Sequence, residues 1–392
     1  MRLIERTYRS LYIGLLCNFV IFGVGMTIIG ATLPKILSEF SWSYTAAGAV
    51  IAAGALGYFL STYLNGILLQ KIGPKAVTTI GLGLQVVALG LFAATPSVAL
   101  NFFLNLLIGL GQGATEVTIN FAVVRMERKG ESHLMSLMHA AFSVGAVVGP
   151  LVIGFIIRFG MPWQLIYRGL AVITLLMAAA MLLLPFDRVA HASVTRTATA
   201  PSARPERQPM FYLAFLMLFL YVGLELGTSN WVSEYFVRVL GGTASLGAFM
   251  VSIYWAGILV GRLAVPLLFR KSEQARVLIG QSISVAVTLA AAVLFKNPIG
   301  SGSAFFLAGL GCSAIYPLVM TIIGHHFSTG QNRAVGFAST GGGVGSFVFP
   351  FVMSAISEAF GIQNGFFLYI LLAVVMALVS FLVLAQVKHR PT

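Results

Sequence analysis

Long apolar runs, separated by short polar turns, fill almost the whole sequence. Most runs approach ~20 residues, the length of an α-helix that crosses the hydrocarbon core of a bilayer. The strands of a membrane barrel would alternate over much shorter segments. The pattern therefore predicts an all-α polytopic membrane protein with twelve transmembrane helices, numbered here as spans 1 to 12. Their predicted limits are residues 10–37, 43–70, 76–95, 99–124, 134–158, 164–186, 210–238, 245–269, 277–295, 300–325, 335–360 and 365–387.

One long polar segment interrupts this pattern after the sixth span. Residues 187–209 are rich in Ser, Thr, Ala, Pro and Arg, a composition that cannot build a core. We interpret the segment as a flexible cytoplasmic linker. The predicted domains are then an N-terminal six-helix bundle at 1–186, the linker at 187–209 and a C-terminal six-helix bundle at 210–392.

A repeat at an offset of 200 residues relates the two halves of the chain. A single match among 42 glycines can arise by chance, but the matches cover spans 1 and 7, 2 and 8, 4 and 10, and 5 and 11 in one register. The halves are therefore predicted to be pseudo-symmetric. The matched pairs are Gly23 and Gly223, Gly57 and Gly257, Lys71 and Lys271, Gly109 and Gly309, Gly111 and Gly311, Gly145 and Gly345, and Pro150 and Pro350.

The balance of charges excludes a soluble protein and predicts the orientation. Only 9% of the residues are charged and 58% are hydrophobic, whereas a soluble domain has about 25% charged residues. Of the 24 Lys and Arg residues, 18 fall on the side that holds both termini, five on the other side, and Arg262 inside span 8. Basic residues hold loops in the cytoplasm, so both termini are predicted to be cytoplasmic. The net charge of +13 then reflects topology, and we expect no nucleic-acid partner.

Motifs of enzymes and of ATP-driven pumps are missing from the sequence. It has no G-x-x-x-x-G-K-[S/T] loop, no Gly-x-Ser-x-Gly elbow and no Cys/His cluster with metal-ligand spacing. Cys17 and Cys312 both lie in apolar runs, so no disulfide is expected. We therefore predict that the protein is not an enzyme and has no cofactor apart from a coupling ion.

The turn predicted between spans 2 and 3 reads Gly66-Ile-Leu-Leu-Gln70-Lys71-Ile-Gly73-Pro-Lys75. It resembles the signature of the major facilitator superfamily, in which an acid four residues after the glycine precedes a basic-x-Gly-basic-basic run. Gln70 stands where that acid sits, so the latch that the acid provides for the outward-open state in the family is weakened here. The resemblance implies two parallel bundles that rock about a site at the bilayer midplane, with Gly66, Lys71, Gly73 and Lys75 in gating or structural roles.

Segments in both halves are similar to the fucose–proton symporter group, and in particular to its bacterial glucose/mannose branch. This resemblance implies proton-coupled sugar uptake across a bacterial plasma or inner membrane. Span 1 departs from it, because Gly30 replaces the acid that the fucose symporter carries four residues before a proline. The similar segments are 109–116 (GLGQGATE), 139–145 (HAAFSVG), 220–231 (LYVGLELGTSNW), 254–262 (YWAGILVGR) and 314–317 (AIYP).

Glu116 in span 4 is the first of three ionisable residues placed deep inside predicted spans, where a charge is costly without a partner, water or a proton. Gln112 and Asn120 lie one turn before and after it, on the same face of the helix. Burial disfavours the charged form of a carboxyl, so Glu116 is a candidate for proton coupling, as the resemblance also implies. The alternative is a structural ion pair. Gln112 and Asn120 are predicted to bind substrate.

Glu225 in span 7 is the second such residue, followed closely by Asn230 and Trp231. Sugars are bound by polar groups around their hydroxyls and by an aromatic face. We therefore predict substrate binding by these three residues, with Glu225 as a second candidate for proton coupling. The alternative is that Glu225 pairs with Arg262. Tyr254 and Tyr316 are predicted to line the substrate cavity, although aromatic residues in helices more often pack.

Arg262 in span 8 is the third, and it stays charged. A gating or structural role is predicted for it, whereas an anionic substrate would make it a ligand. His139, near the start of span 5, is a further candidate for substrate binding because histidine titrates near neutrality. Glu234 and Glu358 fall near outer helix ends, where we expect them to be hydrated.

The leading functional hypothesis is a monomeric transporter in the lipid bilayer that takes up a small polyol-like solute, most simply a monosaccharide, with protons. Gly145-x-x-x-Gly149-Pro150 suits hinge or sliding contacts between helices and partly resembles the span 5 motif of proton antiporters. A proton-driven exporter of drugs or amphipathic metabolites is therefore the first alternative. An organic-anion transporter with Arg262 as counter-ion is the second, and a non-transporting sensor is the third. Sodium is the alternative to the proton as the coupling ion of a transporter, because carboxylates bind both ions.

Overall fold

The structure is a computed structural model that describes residues 6–127, 133–190, 205–269, 273–327 and 330–388. All regular structure in these ranges is helical, which confirms the predicted fold class. The first half contains α1 (Arg9–Phe40), α2 (Tyr44–Leu91), α3 (Val98–Met126), α4 (His133–Arg158), α5 (Gln164–Leu183) and the short α6 (Asp187–Ala190). The second half contains α7 (Pro209–Arg238), α8 (Ala244–Leu268), α9 (Gln274–Leu294), α10 (Pro298–Cys312), α11 (Ile315–His326), α12 (Gln331–Phe360) and α13 (Ile362–Lys388).

Eleven helical segments in the described ranges are long and apolar enough to cross a membrane, with α10 and α11 forming one of them. The helix α2 has 48 residues, which as one continuous helix would extend ~72 Å, more than twice the ~30 Å hydrocarbon core. Gly73 breaks it with φ 79° and ψ 166°, so its two parts are spans 2 and 3. The twelve predicted spans are therefore confirmed, and their limits agree with the helices within four residues.

By its internal contacts the chain divides into two compact units. The first unit consists of Met1–Trp42 and Ala49–Thr195, and the second consists of Ser43–Gly48 and Arg196–Thr392. In the first unit α1 packs along α4, and in the second unit α7 packs along α12 and α8 along α10. Because residues 191–204 of the predicted linker lie outside the described ranges, the predicted domain limits stay a prediction.

The glycine repeat marks the closest helix contacts in each unit. A Cβ atom built on Gly57 in α2 would overlap the carbonyl oxygen of Leu106 in α3, and one on Gly257 in α8 would overlap that of Phe306 in α10. These contacts are separated by the same 200 residues as the sequence matches. Glycine is required here because the backbones touch directly, a packing mode common between membrane helices.

A second repeated contact joins the first and fifth spans of each half. A Cβ atom on Gly145 in α4 would overlap the carbonyl oxygen of Val20 in α1, and Gly345 in α12 meets Phe219 in α7 in the same way. Pro150 is buried inside α4, five residues after Gly145. The segment that suggested a hinge is thus a tight helix contact in this structure.

The described ends of the predicted linker are folded onto their units. Val189 in α6 is fully buried in the core of the first unit, and the Arg188 guanidinium donates to the carbonyl oxygen of Thr7. On the other side of residues 191–204, Glu206 forms an ion pair with Arg333 at 3.4 Å. Each described end of the predicted linker therefore contacts the unit next to it in the chain.

Candidate functional site

Glu116 lies in the middle of α3 with Gln112 and Asn120 one turn to either side, as predicted; these three residues are called the α3 polar row. The Glu116 carboxylate, which is half-buried, accepts a hydrogen bond from the hydroxyl of Tyr58 in α2. No ion pair to Glu116 forms within the part of the chain that the structure describes. The acid is therefore held by a neutral donor, which leaves it able to gain a proton without breaking a salt bridge.

Asn120 completes the surroundings of Glu116 on the next turn of α3. Its side-chain amide lies on the same face of α3 as the Glu116 carboxyl, and its buried oxygen Oδ1 has no hydrogen-bond partner among the described residues. An amide offers a donor on one side and an acceptor on the other. Rotation of this amide therefore lets Asn120 donate to the ionised carboxylate or accept from the protonated acid.

Gln112, at the other end of the α3 polar row, is only 6% exposed. A Cβ atom on Gly25 in α1 would lie 3.0 Å from its amide nitrogen Nε2. The amide thus fills space that a larger residue at position 25 would occupy. His139 in α4 is exposed and lies edge-on to Phe19, with ring centroids 5.8 Å apart.

In the second unit, Glu225 on α7 is 7% exposed and lies between a donor and a cation. The Tyr221 hydroxyl, one turn earlier, donates to Glu225 Oε1 at 2.5 Å. The Arg262 guanidinium in α8 reaches the same oxygen at 3.9 Å. Tyr221, Glu225 and Arg262 are called the α7–α8 charge cluster, and the pairing considered as an alternative for Glu225 is present.

Three further contacts lie around the α7–α8 charge cluster. The Tyr254 hydroxyl lies 3.3 Å from the carbonyl oxygen of Glu225 and 3.5 Å from Cys312 Sγ. Trp255 in α8 donates from Nε1 to the Oγ of Ser229 at 2.7 Å. Ser229 lies on α7, one turn after Glu225. Tyr254 and Trp255 are both buried. They therefore pack around the cluster and do not present a ring face to a solute.

The other residues predicted to bind substrate in this half are spread apart. Asn230 is half-buried. Trp231 is fully buried, with its ring 5.8 Å from that of Tyr44, and its Nε1 has no acceptor among the described residues. Tyr316, at the start of α11, is 38% exposed. Of these three, Asn230 and Tyr316 retain exposed surface to which a solute can bind.

Glu234 corrects an expectation of the sequence analysis, because it is not hydrated. It is 1% exposed, and its Oε1 accepts from Arg238 Nε at 2.9 Å and from the Tyr44 hydroxyl at 3.2 Å. Glu358 is exposed but accepts from the backbone N–H of Thr45 at 3.3 Å. Hydropathy correctly predicted that Glu234 lies near a helix end. Its side chain is nevertheless covered by residues 43–48, which pack in the second unit.

The signature segment in α2 is arranged around Gly73. Its positive φ of 79° falls in a region that L-residues with a side chain rarely adopt. Lys71 is exposed and Lys75 is half-buried, and a Cβ on Gly66 would meet nothing within 4 Å. The predicted turn is therefore a single glycine joint between two helices, with a basic residue on each side.

Sequence reasoning did not single out Tyr58 or Tyr221, although both bind the key acids. Tyr221 lies four residues before Glu225, so the helical period carried that signal. Tyr58 directly follows Gly57, which the repeat marks as a point of close helix contact. Within the described residues no group of three potential ligands could hold a metal ion.

Comparisons with known proteins agree with this fold. The sequence profile of the Major Facilitator Superfamily matches residues 15–305 and 303–392. The glucose/mannose transporter GlcP of Bacillus subtilis is 24% identical over 347 residues, which cover 83% of this chain and 84% of that protein.

Two solved structures have the same fold over nearly the whole chain. A bacterial homologue of the human lysosomal transporter Spinster superposes with a TM-score of 0.80 at 13% identity, covering 99% of both chains. The transporter FucP superposes with a TM-score of 0.64 at 20% identity, covering 96% of this chain and 99% of the other.

Proposed function

Because the chain belongs to the Major Facilitator Superfamily, and is thus a membrane transporter and not an enzyme, we propose that it couples a proton gradient to the uptake of a small uncharged solute, such as a monosaccharide. The twelve spans make it a multi-pass membrane protein.

The observation that carries proton coupling is the difference between the surroundings of Glu116 and those of Glu225. Glu225 has a guanidinium within 4 Å, and a nearby cation favours the charged form of a carboxylate. Among the described residues Glu116 has no ion-pair partner; it accepts from the hydroxyl of Tyr58, and the amide of Asn120 lies one turn further along α3. We therefore assign proton loading and release to Glu116, and we assign to Glu225 the role of a fixed charge.

The charge balance of the α7–α8 charge cluster supports an uncharged solute. Glu225 and Arg262 offset each other, so their part of the second unit has no net charge to attract an anion or a cation. Polar groups with exposed surface, such as the amide of Asn230, suit the hydroxyls of a sugar. The similarity to a glucose/mannose transporter supports the same class of solute.

The decisive experiment is uptake into proteoliposomes that contain the purified chain, with an imposed pH gradient and no sodium. We expect the wild type to accumulate a monosaccharide such as glucose. Glu116→Gln should abolish accumulation while it retains sugar exchange at equal concentrations on both sides, because exchange requires no net proton movement. Glu225→Gln, the matched control, removes a carboxylate charge without touching the proposed proton site.

Three outcomes would overturn parts of this proposal. Accumulation by Glu116→Gln at the wild-type rate would exclude Glu116 as the coupling residue. Accumulation that requires sodium would replace the proton. A thermal-shift screen in which sugar acids or drugs stabilise the protein, and neutral sugars do not, would favour the organic-anion or exporter alternative. In the organic-anion case Arg262→Gln should abolish that stabilisation.

We also propose that both termini are cytoplasmic, in a bacterial plasma membrane, because basic residues concentrate on that side. A fluorescent protein fused after Thr392 should fluoresce, whereas alkaline phosphatase fused there should remain inactive. Active phosphatase would reverse the orientation.

A further inference from the structure

A groove of about 600 Å³ lies between α7 and α13 in the second unit, at the end where α7 begins and α13 ends. It is separate from both the α3 polar row and the α7–α8 charge cluster, and the proposed transport cycle makes no use of it. The groove is lined by Arg207, Gln208, Pro209, Tyr212, Leu213, Leu216, Leu382, Ala385 and Gln386.

The lining changes from polar to apolar along the groove. The polar residues Arg207, Gln208 and Gln386 lie at or next to the helix ends. Leu213, Leu216 and Leu382 lie further along the two helices. Since an α-helix rises ~1.5 Å per residue, Leu216 lies roughly 10 Å deeper than Pro209, about a third of the way into a ~30 Å hydrocarbon core.

Arg207 gives the mouth of the groove a positive charge. Its side chain is exposed and forms no ion pair with any residue that the structure describes. The neighbouring acid, Glu206, is instead paired with Arg333 at 3.4 Å. No Asp or Glu is among the residues that line the groove.

The amide of Gln208 adds a neutral donor to this mouth. Its oxygen Oε1 lies 3.0 Å from His326 Nε2, which leaves its Nε2 as a donor. Tyr212, 55% exposed one turn into α7, is the kind of aromatic residue that lies at the level of lipid headgroups.

From this arrangement we infer that the groove binds an anionic phospholipid. The phosphate lies against the Arg207 guanidinium with the amides of Gln208 and Gln386 around it, and one acyl chain follows Leu213, Leu216 and Leu382. A cationic mouth at the membrane surface joined to an apolar groove matches both parts of such a lipid. A zwitterionic lipid such as phosphatidylcholine would fill the apolar part, but its cationic headgroup offsets the phosphate charge that Arg207 would bind.

Native mass spectrometry of the full chain in detergent tests the inference, with phosphatidylglycerol and phosphatidylcholine of identical acyl chains. We expect the wild type to retain phosphatidylglycerol at least about fivefold more strongly. Arg207→Gln should reduce that preference to less than about twofold. Arg276→Gln is the matched control, because Arg276 is an exposed arginine at the start of α9 that pairs with Glu273 and does not line the groove. It should keep the wild-type preference.

Leu382→Trp tests the apolar part, because it places a large ring in the groove at a site that is 55% exposed and tolerates the change in volume. It should lower retention of both lipids several-fold. Equal retention of the two lipids by the wild type would overturn the inference. So would an unchanged preference in Arg207→Gln, an equal loss in Arg276→Gln, or unchanged retention in Leu382→Trp. None of these results depends on which solute the protein transports.

Discussion

The backbone of Gly57 in α2 packs directly on the carbonyl oxygen of Leu106 in α3. Two hundred residues later Gly257 makes the same contact with Phe306. Membrane helices approach this closely only where a small residue removes the side chain from the interface. The repeat in the sequence is therefore a repeat of helix contacts, and each unit uses it to fix its second span against its fourth.

Replacing Gly57 with Ala should destabilise the protein. The added Cβ overlaps backbone atoms, which cannot move aside as a flexible side chain would, so we expect a loss of about 1–3 kcal/mol. Gly257→Ala should cost a similar amount. Gly83→Ala, in the part of α2 that follows Gly73, is the control, because a Cβ there meets nothing within 4 Å. The measurement is the fraction of monodisperse protein that remains after heating in detergent, and equal behaviour of Gly57→Ala and Gly83→Ala would contradict the contact.

Two glycines of the signature segment should respond to alanine in opposite directions. Gly73 has φ 79° and ψ 166°, a conformation that costs a residue with a side chain about 1–3 kcal/mol. Gly66 lies inside helical α2 with open space around it, so alanine there should stabilise by about 0.5–1 kcal/mol. Thermal unfolding in detergent of the two variants tests this difference. Unchanged stability of Gly73→Ala would contradict the glycine joint at 73, and destabilisation by Gly66→Ala would contradict the open space around Gly66.

The sequence allowed the spans and the equivalence of the repeated glycines to be predicted, because both can be recognised from patterns along the chain. A run of apolar residues determines the length of a span, and the register of the repeat identified Gly57 and Gly257 as equivalent. The partners of the buried acids could not be predicted in the same way. Whether Tyr58 reaches Glu116 depends on how α2 and α3 rotate about their axes, and a single sequence does not determine that rotation.

Glu234 illustrates the same limit, because its partners could not be predicted either. Its place near the end of a span predicted water around it, but Tyr44 and Arg238 cover and bind its carboxylate. Tyr44 is 190 residues away in the sequence, and hydropathy contains no information about such distant contacts. Sequence patterns therefore located the candidate site residues on their helices, whereas tertiary packing determined which of them have partners.

Glu225 and Arg262 should show energetic coupling in a double-mutant cycle. Arg262→Met leaves a buried carboxylate with only Tyr221 as a donor. We expect a loss of about 1–3 kcal/mol, below the range for a fully buried pair because the arginine side chain is 26% exposed and 3.9 Å away. The double variant Glu225→Gln/Arg262→Met should be more stable than Arg262→Met alone. Thermal unfolding in detergent measures the four proteins, and strictly additive losses would show that the two groups do not interact.

Tyr58 and Asn120 should affect coupling more than sugar exchange. Tyr58→Phe removes the hydroxyl donor to Glu116, and an ionised carboxylate that loses one hydrogen bond becomes about 1–3 kcal/mol less favourable. Proton release from Glu116 then becomes harder, so we expect accumulation driven by a pH gradient to slow roughly tenfold, while exchange between equal sugar concentrations changes little.

Asn120→Leu removes both the donor and the acceptor of the amide at nearly constant volume, so it should slow accumulation as well. The Tyr58 and Asn120 side chains both lie beside the Glu116 carboxyl. The factor by which the double variant slows accumulation should therefore not exceed the product of the two single factors. Tyr63→Phe is the matched control, since Tyr63 lies in α2 with 74% of its surface exposed. Equal losses of accumulation and of exchange in Tyr58→Phe would assign the tyrosine to solute binding or to folding, and would separate it from the proton step.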